Sequence, residues 1–162
     1  MAKENKIKLT FPDGSSKDYT KGITGLEITK QISQKLLKEA LAIKVNDKLQ
    51  DLPDPINEDA EIKILKFSEP EGKLAYWHSS SHILADAVKR IWPDTRLGIG
   101  PAIDDGFYYD FDKKEPFTED DLKKIEEQMK KIIKEDSKYE HVFLSRKEAE
   151  KLSAKEPFKL DI

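Results

Sequence analysis

Apolar and polar residues alternate through Ile7-Lys8-Leu9-Thr10-Phe11, the period of a strand with one face buried. Pro12-Asp13-Gly14 supplies turn chemistry, and Ser16 to Thr20 reads as a short return strand carrying Tyr19. Thr24-Gly25-Leu26-Glu27 has the spacing of a capping box, with Glu27 placed to reach back to the threonine amide. Behind it Ile28, Ile32, Leu36 and Leu37 share one helical face, while Lys30, Lys35 and Lys38 lie off it. Ala42 to Val45 reads as a strand, and Asn46-Asp47 as the turn into Lys48-Leu49. Asp59 to Leu65 alternates again. Hairpin, helix, short strands and a closing strand over residues 1–65 predict a ubiquitin-like β-grasp domain, a sheet with one helix across it. Residues 66–73 combine Pro70, Gly72 and charge without a period, and read as a linker.

The remaining stretch, 74–162, opens with a helix from about Leu74 to Trp92, stopped by Pro93. Leu97-Gly98-Ile99-Gly100-Pro101 reads as a glycine-bearing strand, and Asp105-Gly106 as a hairpin turn. Phe107, Tyr109 and Phe111 then fall on one face of a strand. Thr118 is placed to cap a second helix, with Leu122, Ile125, Met129 and Ile132 at helical spacing. His141 to Leu144 is a strand candidate, and Ser145-Arg146-Lys147-Glu148 another capping box. Pro157 to Ile162 begins an alternating strand, so the chain is expected to be a piece of a longer protein. The whole is α+β.

Composition narrows the chemistry. The 162 residues carry 29 basic and 32 acidic side chains, a net charge of -3, which does not make the surface a general magnet for nucleic acid. There is no cysteine, hence no disulfide, thiolate nucleophile or thiolate metal site within the chain. No apolar run is long enough to span a bilayer, and Met1-Ala2-Lys3-Glu4-Asn5 has no secretory apolar segment. A cytoplasmic location is the expectation.

The sharpest signal is His78-Ser79-Ser80-Ser81-His82. Residues four apart lie about 40° apart around a helix, so both imidazoles project from one side. Leu74, Trp77, Leu84, Val88 and Ile91 form the apolar stripe, and the histidines are centred about 120° from it, beside Ala85 and Lys89. Three serines are unusual inside a helix and suggest room for a ligand. The pair suits either metal ligation, as a two-toothed clamp, or acid–base work near neutral pH. The zinc-protease motif fails, because Ser79 stands where it needs a glutamate. His78 and His82 are thus at most part of a ligand set. The Gly98-x-Gly100 pair is no dinucleotide fingerprint, and is read as permitting close backbone approach.

His78-Ser79-Ser80-Ser81-His82-Ile83-Leu84-Ala85, Ile91-Trp92-Pro93-Asp94 and the run Leu97 to Asp112 together resemble the start of the editing domain of bacterial threonyl-tRNA synthetases. Phe11-Pro12-Asp13-Gly14-Ser15 and Ala40 to Asn46 resemble the TGS domain that precedes it in that family. The resemblance implies a TGS β-grasp domain followed by the first part of an α+β editing domain, its HxxxH helix packed on an antiparallel sheet. It implies hydrolysis of a seryl ester at the acceptor end of tRNA(Thr), because a missing methyl is worth only about 1–3 kcal/mol to the synthetic site. His78 and His82 fall on the family's paired histidines, as candidates for holding the ester and the attacking water. Tyr109 and Lys159 fall near pocket positions, although Tyr109 also suits packing beside Phe107 and Phe111, and Lys159 a solvated surface.

The family completes this pocket with a later Cys-x-x-x-His element, which this chain lacks. The resemblance therefore implies that the isolated chain neither aminoacylates nor edits and needs no cofactor of its own. ATP and zinc would serve the synthetic domain of the longer enzyme. That enzyme is expected to be a homodimer, and this piece a monomer. The competing readings are a freestanding TGS-type RNA-binding or regulatory module and, more remotely, a stand-alone hydrolase acting on tRNA.

Overall fold

A computed structural model of the chain describes residues 5–137, 142 and 144–152. Two compact units result, residues 1–76 and 77–162.

In the first unit, β1 (Lys6–Thr10) and β2 (Ser16–Thr20) form the expected hairpin, with Ile7 opposite Tyr19 and Leu9 opposite Lys17. The turn is closed by the Phe11 amide donating to the Ser15 carbonyl at 2.8 Å, and Asp13 accepts from the Ser15 amide at 2.9 Å. β3 (Ile23–Thr24) feeds α1 (Gly25–Ile32). There Thr24 accepts from the Glu27 amide at 3.2 Å, and Glu27 accepts from the Thr24 amide at 3.0 Å. The helix does not run on through Leu37 as its apolar face suggested. Ser33 adopts extended backbone, ends α1, and accepts from the Leu36 amide at 3.0 Å to start α2 (Gln34–Glu39). A serine able to serve as a cap at this point breaks the continuous face, and Ile32 is left exposed.

β4 (Ala40–Val45), β5 (Lys48–Gln50), β6 (Pro55–Ile56) and β7 (Ala60–Lys66) complete this unit's strands. The five-stranded sheet has the order β2-β1-β7-β4-β5, with β1 and β7 parallel and the other neighbours antiparallel; β3 and β6 pair separately. A parallel pair requires a crossover, and α1 lies in it. Its Ile28 is buried with Ile7, Leu9, Tyr19, Ile43 and Ile62. Each such fully buried aliphatic side chain contributes about 1.5–3 kcal/mol of burial free energy.

α3 (Pro70–Ile91) begins four residues before the expected Leu74, so Pro70 and Gly72, read as linker residues, lie in its first turn. Proline is tolerated there because the missing amide has no intrahelical partner in any case. In the second unit follow β8 (Arg96–Leu97), β9 (Ala102–Ile103), β10 (Gly106–Phe107), β11 (Phe111–Asp112), α4 (Glu119–Glu135) and α5 (Arg146–Leu152). The strands form only two-residue ladders, β9 with β10 and β8 with β11. Among the described residues, the core of this unit is a helix pair rather than a broad sheet. Ala87 and Val88 of α3 are buried with Ile125 and Ile132 of α4, flanked by Phe111 and Phe117. Thr118 and Asp121 form the capping box of α4. Arg90 ties the two helices together, donating to Glu135 at 2.6 Å and to Asp86 at 3.0 Å. His141, Phe143 and residues 153–162, Lys159 among them, lie outside the described residues.

Candidate functional site

The histidine pair sits where helix arithmetic places it. His78 and His82 are exposed on α3, their Nε2 atoms 3.0 Å apart and their rings edge to face, with centroids 4.6 Å apart and planes at 87°. At that separation one Nε2 carries a hydrogen and the other accepts it, so the two imidazoles occupy different tautomers when both are neutral. The Nε2 donor and acceptor thereby satisfy each other, and a ligand reaches them only by separating the rings.

The support beneath the pair differs from the sequence expectation. Leu74 is exposed, while Trp77, Leu84 and Ile91 are half-buried; Ser81, Ala85, Ala87 and Val88 are the residues packed away. Ser81 is 1% exposed and donates its hydroxyl to the His78 carbonyl at 2.7 Å. It fills core space between the histidines rather than leaving it open. A serine hydroxyl that bonds back within its own helix can be buried at little cost, which is why polarity alone misjudged it. Lys89, placed beside the histidines on the helical wheel, reaches instead past the end of α3, donating to the Pro93 and Thr95 carbonyls at 3.0 and 3.1 Å. Asp86, one turn after His82, is held by Arg90 at 3.0 Å.

Tyr109 is half-buried and stacks on Phe111, with centroids 4.8 Å apart and planes at 22°. Its ring lies directly against Gly100, where any Cβ would collide with it. Gly98 is equally constrained, since a Cβ there would come within 2.9 Å of the Asp110 carbonyl. The Gly98 amide donates to that carbonyl at 2.8 Å, and the Asp110 amide to Ile99 at 3.0 Å. Close approach of two chain segments is thus the purpose of both glycines. Sequence reasoning found the approach, but not that Gly100 is the seat of Tyr109.

A concavity of about 480 Å³ in this unit is lined by Trp92, Arg96, Asp112 and Lys113 among others. Its charges are largely answered from within: Arg96 pairs with Asp112 at 3.7 Å, and the Lys113 ammonium lies 5.2 Å from the Trp92 ring centre. No group of three or more His, Cys, Asp or Glu side chains poised for a metal occurs among the described residues.

Residues 7–66 match the TGS domain family. Over nearly its whole length the chain is similar to proteins named threonine–tRNA ligase. The one from Desulforamulus reducens is 56% identical over 143 residues, 88% of this chain and 22% of that protein. That of Caldanaerobacter subterraneus subsp. tengcongensis is 52% identical over 163 residues, 98% of this chain and 25% of the relative. For Chloroherpeton thalassium the figures are 43% over 165 residues, 100% and 25%. The chain spans about a quarter of the length of these relatives.

Proposed function

Because this chain belongs to the threonine–tRNA ligase family, we propose that its second unit is the opening part of an editing region that hydrolyses a seryl ester on the terminal adenosine of tRNA(Thr). The need for such a step is energetic: serine lacks one methyl of threonine, a difference worth about 1–3 kcal/mol to a binding pocket. The observation that carries the reading is the 3.0 Å contact between the Nε2 atoms of two exposed histidines. Both side chains are exposed on α3.

In this reading a water that enters by displacing the direct Nε2–Nε2 hydrogen bond gives its proton to the unprotonated Nε2 as its oxygen attacks the ester carbonyl carbon. The protonated Nε2 of the other ring donates to the carbonyl oxygen as charge develops there. The bond between that carbon and the ribose oxygen then breaks, and the ribose oxygen takes up the proton. Tyr109, fixed by Phe111 and Gly100, supplies a wall of the pocket, and the family resemblance makes Lys159 a further candidate for substrate binding. The ligase reaction itself, with its ATP and zinc, belongs to parts of the enzyme outside this chain, as does the dimer contact. tRNA is the partner, and the cytoplasm its place of action.

A freestanding RNA-binding module is not favoured. The relatives match 88% or more of the chain, well beyond residues 7–66, which a shared TGS module alone would not produce. The deciding experiment measures hydrolysis of seryl-tRNA(Thr) and threonyl-tRNA(Thr) by this chain and by one extended through the next Cys-x-x-x-His element. Clearance of the seryl ester by the longer chain, lost with His82→Ala, is the expected result. Clearance by neither chain returns the module reading to first place.

A further inference from the structure

We propose that the first unit is the anchor that keeps the histidine pair in register, with Glu71, Gly72 and Tyr76 as positioning residues for His78. α3 is one unbroken helix over Pro70–Ile91, yet the boundary between the units falls between Tyr76 and Trp77, directly before His78. Between Gly72 and Ser81 every residue of α3 is exposed or only half-buried, so that stretch gains little from packing of its own. Isolated helices shorter than about 12–15 residues are marginal in water, because nucleation costs more than the first bonds return. Composition does not help here, since Tyr76, Trp77, His78 and the three serines are all weaker helix formers than alanine or leucine. The stretch stays helical because both of its ends are held.

On the downstream side Ser81 is buried and bonded to the His78 carbonyl, and the Trp77 ring centre lies 6.2 Å from that of Phe107. On the upstream side the ties are to the first unit. Glu71 pairs with Lys44 of β4 at 2.6 Å, Gly72 lies against the Lys66 carbonyl with no room for a Cβ, and Tyr76 meets Phe67 edge to face with ring centres 5.1 Å apart. Without these ties the helix has a ready place to begin later. Serine is a preferred cap at a helix start, and Ser79 or Ser80 would take that position, leaving His78 outside the helix. The 3.0 Å contact between the Nε2 atoms needs both residues helical, four apart on one face. The serine run thus makes the pair conditional on the upstream turns, and the β-grasp unit meets the condition. The consequence for hydrolysis rests on the editing reading; the geometry does not.

The test follows the intact 162-residue chain by amide hydrogen exchange over residues 74–82 and by the imidazole nitrogen and proton resonances. Tyr76→Ala combined with Glu71→Lys, which sets like charges against each other at Lys44, should speed exchange at these amides about tenfold. The paired Nε2 signals should give way to those of two separate rings. Glu71→Lys with Lys44→Glu, Tyr76 retained, reverses the ion pair and should restore both readouts to those of the parent. Ile28→Val, a truncation in the first unit's core outside these ties, should leave both unchanged. Parental exchange and paired rings in the first double variant would overturn the proposal. An equal response to Ile28→Val would overturn it too, by making the effect one of overall stability. In the extended chain, separated rings with seryl-ester hydrolysis intact would count against the editing reading alone, and hydrolysis lost with the rings still paired against the positioning role alone.

Discussion

Gly100 has space for a hydrogen and nothing more, because the Tyr109 ring occupies the position a Cβ would take. Gly100→Ala must therefore push Tyr109 off its stack on Phe111 or bend the chain, an overpacking change of about 1–3 kcal/mol. Urea denaturation should show that loss, and the near-ultraviolet dichroism of the tyrosine should change with it. A variant as stable as the parent, with an unaltered tyrosine spectrum, would mean the ring is not seated there. The histidines are the opposite case. Both are exposed, so His82→Ala should change stability by no more than about 0.5 kcal/mol while removing the Nε2 contact. A urea midpoint indistinguishable from the parent's keeps any loss of hydrolysis a matter of chemistry rather than folding.

At the scale of the element, the joint between β7 and α3 is tied by acidic side chains at the helix start. Glu69, just before the helix, accepts from the Lys66 amide at 2.7 Å and pairs with Lys63 at 3.4 Å, while Glu71 pairs with Lys44 at 2.6 Å. Gly72 lets the first turn lie against the Lys66 carbonyl, with no room for a Cβ. Gly72→Ala raises helix propensity by about 1 kcal/mol in an open helix, yet here it should destabilise, because the obstructing atom is backbone and cannot swing aside. Thermal melting decides the sign. The same joint makes stability depend on pH. The Lys66 amide, and after it Lys63, holds the Glu69 carboxyl below its ordinary value. A carboxyl with a lower pKa folded than unfolded stabilises the fold above its unfolded value, and that contribution fades as pH falls through the folded value. Glu69→Gln should therefore flatten the acid limb of stability below about pH 4.5, with its cost greatest near neutrality. An acid limb as steep as the parent's would assign the effect to other carboxyls.

These elements also show how far the sequence could be read. The alternation at Ile7 to Phe11, the capping boxes at Thr24 and Thr118, and the four-residue spacing of His78 and His82 are local rules, and each appears in the structure. The linker reading treated Pro70 and Gly72 as breakers, although a first helical turn accommodates both. Ser33 and Ser81 make bonds three or four residues away, which the apolar pattern alone does not register. One ends a helix whose apolar face ran on unbroken, and the other lies buried in a stretch read as leaving room for a ligand. Tyr109 could be placed on a strand face but not over Gly100, because that contact joins residues whose distance depends on the turn between them.

For the whole molecule, each unit carries a core of its own, one around Ile7, Leu9, Ile28 and Ile43 and the other around Ala87, Val88, Ile125 and Ile132. The boundary at Tyr76 lies inside α3, ten residues beyond the last residue matching the TGS domain family. Those ten residues are not an appendage to the first unit. They bring Glu69 and Glu71 to Lys63 and Lys44, and Tyr76 to Phe67, with ring centroids 5.1 Å apart. A chain ending at Tyr76 should therefore fold cooperatively, and one ending at Lys66 should fold with a lower urea midpoint. The ion pairs are exposed and contribute little singly. The aromatic pair adds about 0.5–1.5 kcal/mol, and the expected difference is at least that. Salt separates the contributions, since ion pairs weaken as the screening length shortens and the ring contact does not. The gap between the two chains should shrink at 1 M salt but not close. Equal midpoints at low salt would show that the β-grasp sheet is complete at Lys66, and that the start of α3 takes no part in holding it.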